Sequence, residues 1–255
     1  MLTPSRPARR AAKFAFWLPL ALVLLCAGCV SNSNRRPLSY RLHDGAGGRV
    51  VALHSVVVAP IDAELFELGI GGVSEKRDDW TTQATANLTA ALAAQTGWKP
   101  STDLTPEQRS ALHDEVEDVQ ALLRAMTLNH LLNAGPGPVV SPFASAQAQL
   151  TYNTGPLKAH AAAVGCDGVL FVFVRDSYAT AGRKSLMALS VLGAAFTGVV
   201  IVPTMGADLM SAALVEKDGT VLWFNVQLRG ADPRTPDGAR QVATRILDGL
   251  PYHSR

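Results

Sequence analysis

The sequence predicts an α/β fold: a single domain with a mixed sheet flanked by helices, lying behind a leader and a polar tether. Three observations carry that expectation. Two apolar runs rich in β-branched residues, "VVALHSVVVAP" (50–60) and "VLFVFV" (169–174), read as buried strands and enclose three segments of helical spacing. Two further apolar segments meet at Asp218-Gly219, a tight-turn dipeptide. A final amphipathic segment closes the chain, giving the order β-α-α-α-β-(apolar segment)-β-β-α, and strands separated by helices build layers.

The first strand stops at Pro60, and "IDAELFELGIGGVSEKR" (61–77) reads as a loop with three glycines. In 78–97, Trp80, Ala84, Leu88, Ala91 and Leu92 recur at helical spacing, and Gly97 ends the helix. The next helix is the clearest. Thr105 is its N-cap, Pro106 fits its first turn and Gln108 completes a capping box. Leu112, Val116, Val119, Leu123 and Met126 then step along one face until Gly135. A shorter helix in 155–165 leads through "CDG" into the central strand. In the second hairpin strand Leu222, Phe224, Val226 and Leu228 share one face, and Val221, Trp223, Asn225 and Gln227 the other. The last helix aligns Val242, Ile246 and Leu250.

At 48% hydrophobic and 17% charged residues the composition is globular. The formal charge of +2 includes Arg6, Arg9, Arg10 and Lys13, all within 1–28 where no acid stands, so without that leader it falls to about −2. Nucleic acid is not an expected partner of such a domain. The leader itself has three parts: a basic stretch, the twelve-residue apolar run "FAFWLPLALVLL", and "CAGC". That order belongs to a secretory signal, and the run is too short for a membrane span. Cys26 and Cys29 lack the two further ligands a metal site needs.

"LLCAGC" resembles the lipobox of bacterial lipoproteins. Ala27 and Gly28 fill its small positions, Cys26 stands where leucine is usual, and Cys29 is the residue that would carry lipid. The resemblance implies cleavage between Gly28 and Cys29, a signal peptide at 1–28, a lipidated tether at 29–49 and a periplasmic domain at 50–250. It also implies attachment to the membrane through acyl chains on Cys29. Val30, rather than aspartate, follows the cysteine, which by the same analogy favours the outer membrane.

"VVVAPIDA", "AAAVGCDGVLFVFV" and "ALVEKDGTVLWFN" resemble a second group, the periplasmic lipoproteins related to the curli secretion channel, the amino-terminal domain of the Tol-Pal translocation protein and the activators of penicillin-binding proteins. Gly165, Asp167, Gly168, Gly219 and Trp223 stand at the matching places. The likeness implies an α/β fold and a place in envelope assembly, and no catalytic residue.

Candidate chemistry is sparse. His113 and Glu117 lie one helical turn apart, but without H-E-x-x-H they read as the surface of an acidic helix. Cys166 reads as a small residue entering a buried strand. "GIGG" (69–72) lacks the rest of a phosphate loop and reads as a flexible loop. The uncharged segment 186–202 has three readings: a buried element under the sheet, an apolar surface for membrane or partner, or a membrane span. No catalytic, metal or cofactor site is expected. The expected function is a non-catalytic, lipid-anchored envelope protein that binds other envelope proteins or a second copy of itself. Its rivals are a subunit of an oligomeric outer-membrane secretion channel and a cell-wall hydrolase.

Overall fold

A computed structural model describes residues 41–42, 45–101, 104–133, 152–185, 208–228 and 230–251. The leader with Gly28 and Cys29, and the segment 186–202, lie outside the described residues. In chain order the elements are β1 (Arg41–Leu42), α1 (Ala46–Ala52), β2 (Val56–Val58), β3 (Asp62–Leu68), β4 (Ser74–Lys76), α2 (Asp78–Thr96), β5 (Lys99–Pro100), α3 (Pro106–Asn133), α4 (Lys158–Val164), β6 (Gly168–Ala179), β7 (Leu209–Glu216), β8 (Val221–Leu228) and α5 (Pro236–Ile246). All of them belong to one compact unit, Pro37–Arg255.

The sheet is mixed and runs β1-β8-β7-β6-β2-β5. β6 is its centre. On one side it pairs antiparallel with β7; on the other it holds two parallel strands in succession, β2 against Gly168–Leu170 and β3 against Phe173–Ala179. Side chains alternate across β6, so its two faces bury separate cores. Leu170, Val172 and Val174 pack with α1, α2 and α5, whereas Val169, Phe171 and Phe173 pack beneath α3 and α4. The result is a three-layer α/β sandwich, the fold class that the sequence predicts.

Several predicted details appear as expected. The five-residue stripe of α3 is buried throughout. Its capping box forms, with the Thr105 amide donating to Gln108 Oε1 at 2.9 Å and the Gln108 amide donating to Thr105 Oγ1 at 3.2 Å. Gly97 and Gly165 end α2 and α4 in the left-handed conformation.

Three expectations need correction. Residues 46–52 form a helix rather than a tether end and a strand start: Ala46 and Val50, one turn apart, bury the same face, while Val51 is exposed. Arg49 on that helix pairs with Glu216 and Asp218 at the β7–β8 turn. Second, 61–77 is not a loop but contains the β3–β4 hairpin. Its acids are tolerated in a strand because each meets a cation: Asp62 with Arg124, Glu64 with Arg175 across the β3–β6 pair, and Glu67 with Arg77. Third, a β-bulge interrupts the β7–β8 register at Leu214/Val215. It shifts the side-chain alternation, so Leu222 joins Trp223 on one face and Val221 joins Phe224 and Val226 on the other.

Candidate functional site

β6 outlasts its neighbour β7. The antiparallel register ends at Arg175↔Leu209, yet β6 continues to Ala179 alongside β3, which in turn pairs with β4. These strands form an arm at the carboxyl end of β6. Its tip is the turn 69–73, where Gly72 adopts φ 81°, a conformation that favours glycine. "GIGG" thus lies in a hairpin turn. Ile70 and Val73 stand 62% and 73% exposed there.

The tip is braced from the chain that follows β6. Residues 181–185 are helical, and Arg183, itself buried, donates from Nη1 to the Gly69 carbonyl at 3.2 Å. Gly182 lies so close to Ile70 that an added Cβ would sit 2.6 Å from its Cδ1. The loop 69–72 and the residues that introduce 186–202, two places the sequence singles out, therefore touch.

At the base of the arm sits a cluster of aromatic and charged side chains. The Arg234 guanidinium lies 3.7 Å from the Tyr178 ring centre and 4.3 Å from that of Trp80, and Arg77 also lies 4.3 Å from Trp80. The two rings meet edge to face at 5.9 Å. Asp232 receives a bidentate pair of bonds from Arg234 at 2.8 and 2.9 Å, which hold its carboxyl below the usual range. Asp79 is likewise lowered, chiefly by its hydrogen bonds from Arg77. These residues come from β6, α2 and the approach to α5, and no short motif joins them.

The same base holds a carboxyl pair that sequence reasoning missed. Burial, and then a hydrogen bond with the Asp208 carboxyl, push Asp176 up to about 7. Tyr178 donates its hydroxyl to Asp176, and the Ser177 amide donates to it at 2.6 Å. A carboxyl poised near neutrality could act as a general acid. With Asp176 only 5% exposed, however, no substrate reaches it, and the pair serves to pack the arm.

The other sequence candidates fall apart spatially. His113 and Glu117 pair at 3.2 Å on an exposed helix face, as expected of a solvated surface. Cys166 is buried and its thiol is pushed up to about 11, mainly by desolvation, which leaves little nucleophilic thiolate. Gly165, Gly168, Gly219 and Trp223 do structural work, and Asp167 joins them by accepting from Lys217 Nζ at 3.2 Å and from the His54 amide at 3.3 Å. Among the described residues no three His, Cys, Asp or Glu side chains gather as a metal site, and no helix is long and apolar enough to cross a membrane.

No protein family profile and no curated protein sequence matches this chain. Among solved structures it is similar to a PelC dodecamer from Paraburkholderia phytofirmans, at 12% identity and a TM-score of 0.33 over 78% of this chain and 88% of that one. It is also similar to the LpoB C-terminal domain from Salmonella enterica, at 12% identity and a TM-score of 0.28 over 74% and 95%. Overlaps of that size say nothing about what this chain binds. The molecule's own geometry defines an α/β sandwich with a braced, apolar-tipped arm.

Proposed function

We propose that this chain is a lipid-anchored protein of the bacterial envelope, fastened to the outer membrane through Cys29, whose periplasmic domain binds another envelope protein through the β3–β4 arm and catalyses no reaction. The observation that supports the binding role is the pair Ile70 and Val73, held far into solvent by a turn that Arg183 braces. Isolated exposed apolar residues are ordinary. Two on one reinforced hairpin tip, beside the start of an uncharged segment, favour contact with a protein.

The anchor reading rests on "LLCAGC". Each buried methylene contributes about 0.8 kcal/mol, so several acyl chains on Cys29 would make release negligible. Confinement to a surface raises the effective concentration of the domain for partners on that surface.

The test combines two measurements. With a photo-crosslinking residue at position 70 or 73, cells should yield a defined adduct with one envelope protein. Cys29→Ser should abolish lipid labelling, move the chain to the soluble fraction and weaken the adduct. Persisting lipid label in Cys29→Ser overturns the anchor, and a lack of adducts at both positions overturns the arm as the binding element.

A further inference from the structure

We propose that the domain binds a small uncharged molecule, an amide or alcohol with an apolar body, in a cavity beneath α3 through Ser101 and His160. The cavity measures about 340 Å³ and lies between α3 and the chain linking β2 to β3. That is the lower end of the size range of ligand pockets. Ile61, Ala63, Leu112 and Val116 supply apolar wall.

Two polar side chains in that wall lack partners among the described residues. His160 is 1% exposed, and neither of its ring nitrogens makes a hydrogen bond there; Ser101 is 2% exposed, and its hydroxyl makes none. Buried polar groups are overwhelmingly paired. Two unpaired ones lining one cavity point to something that pairs them.

The chemistry of the two groups narrows what that is. Burial holds the imidazole of His160 below its usual range, so near neutrality it is uncharged and offers one donor and one acceptor. A serine hydroxyl also does both. An amide or an alcohol answers such a pair, whereas a full charge would be poorly matched in an apolar wall. The charged groups lining the cavity are already occupied. Asp62 lies 3.0 Å from Arg124, Glu117 lies 3.2 Å from His113, and Arg109 donates to the Leu104 carbonyl at 2.9 Å.

Closing the space would break the bonds that fix α3. Gln120 donates to the Pro60 carbonyl at 2.8 Å, Gln108 donates to the Ala163 carbonyl at 3.2 Å, and Glu115 accepts from the His160 amide at 2.7 Å. These contacts hold α3 to the sheet at one place and to α4 at two others.

The test titrates hexanamide, 1-hexanol, hexanoate and hexylamine into the full chain carried in lipid nanodiscs, following the ring-nitrogen resonances of labelled His160. Empty nanodiscs measure partitioning into lipid. Hexanamide and hexanol should shift His160 saturably, with the two charged analogues at least tenfold weaker. Ser101→Ala should weaken hexanamide about fivefold with other amide resonances unmoved, and Leu112→Trp should abolish the shift by filling the space. A shift that never saturates, or is absent for all four, means that the cavity holds only water and overturns the proposal. Tighter binding of hexanoate or hexylamine overturns the uncharged class.

Discussion

Tyr178 donates its hydroxyl to Asp176, two residues earlier on the same face of β6, and Asp208 bonds to that same carboxyl. Asp176 ionises near 4 in an unfolded chain but near 7 in the folded one. Between those values the native state holds a proton that the unfolded state has released. The resulting stabilisation is complete below about pH 4 and fades as pH rises to about 7. The melting temperature should therefore fall from pH 5 to pH 8 through this group. Asp176→Asn should flatten the slope, and a slope unchanged in the variant would refute the assignment.

Asn225 is 1% exposed and spends its amide on the carboxyl end of α5, donating to the Arg245 and Ile246 carbonyls at 3.0 Å each. Asn225→Ala leaves those carbonyls buried without a donor. The expected loss is about 1–3 kcal/mol, measurable by denaturant titration. Amides in the last turn of α5 should exchange faster.

Gly219 turns the β7–β8 hairpin at φ 86°, and a Cβ there would stand 2.1 Å from the Gly155 carbonyl oxygen. Gly97 shares a positive φ, 70°, but an added Cβ would meet nothing within 4 Å. Gly97→Ala should cost about 1 kcal/mol for backbone strain alone, and Gly219→Ala several times that. Equal losses would show that the chain near Gly155 moves aside.

Ile70→Asp combined with Val73→Asp should leave the melting temperature nearly unchanged, since exposed positions away from special geometry shift stability by about 0.5 kcal/mol or less. The same double variant should abolish capture of the envelope partner by a crosslinker placed at position 75, on exposed β4. Retained capture would move the binding surface elsewhere.

Much of the layered core is legible in the sequence because periodicity reports burial directly. Leu112 to Met126 step at helical spacing and are all buried, and Val169 to Val174 form a continuous apolar run because both faces of β6 are covered. β3 is not legible. Its three acids mask a period of two, and their neutralising partners, Arg124, Arg175 and Arg77, lie in other elements. The bulge that turns Leu222 toward Trp223 leaves no composition signal, since every residue involved is apolar. Nor does any spacing announce that Trp80, Tyr178 and Arg234 meet, because tertiary packing alone brings them together. Of the candidate surface, the sequence singles out only "GIGG", as a loop between strand and helix rather than as the end of an arm.

Past Arg175 the end of β6 is joined, among the described residues, to β3 only. A pull on the hairpin tip thus loads a single row of parallel hydrogen bonds, which can open in succession like a zip fastener. Nearer the amino end of β6, ladders flank it on both sides and must shear together. Under traction from a bound neighbour the molecule gives way first at its outstretched finger, while the layered centre keeps its packing.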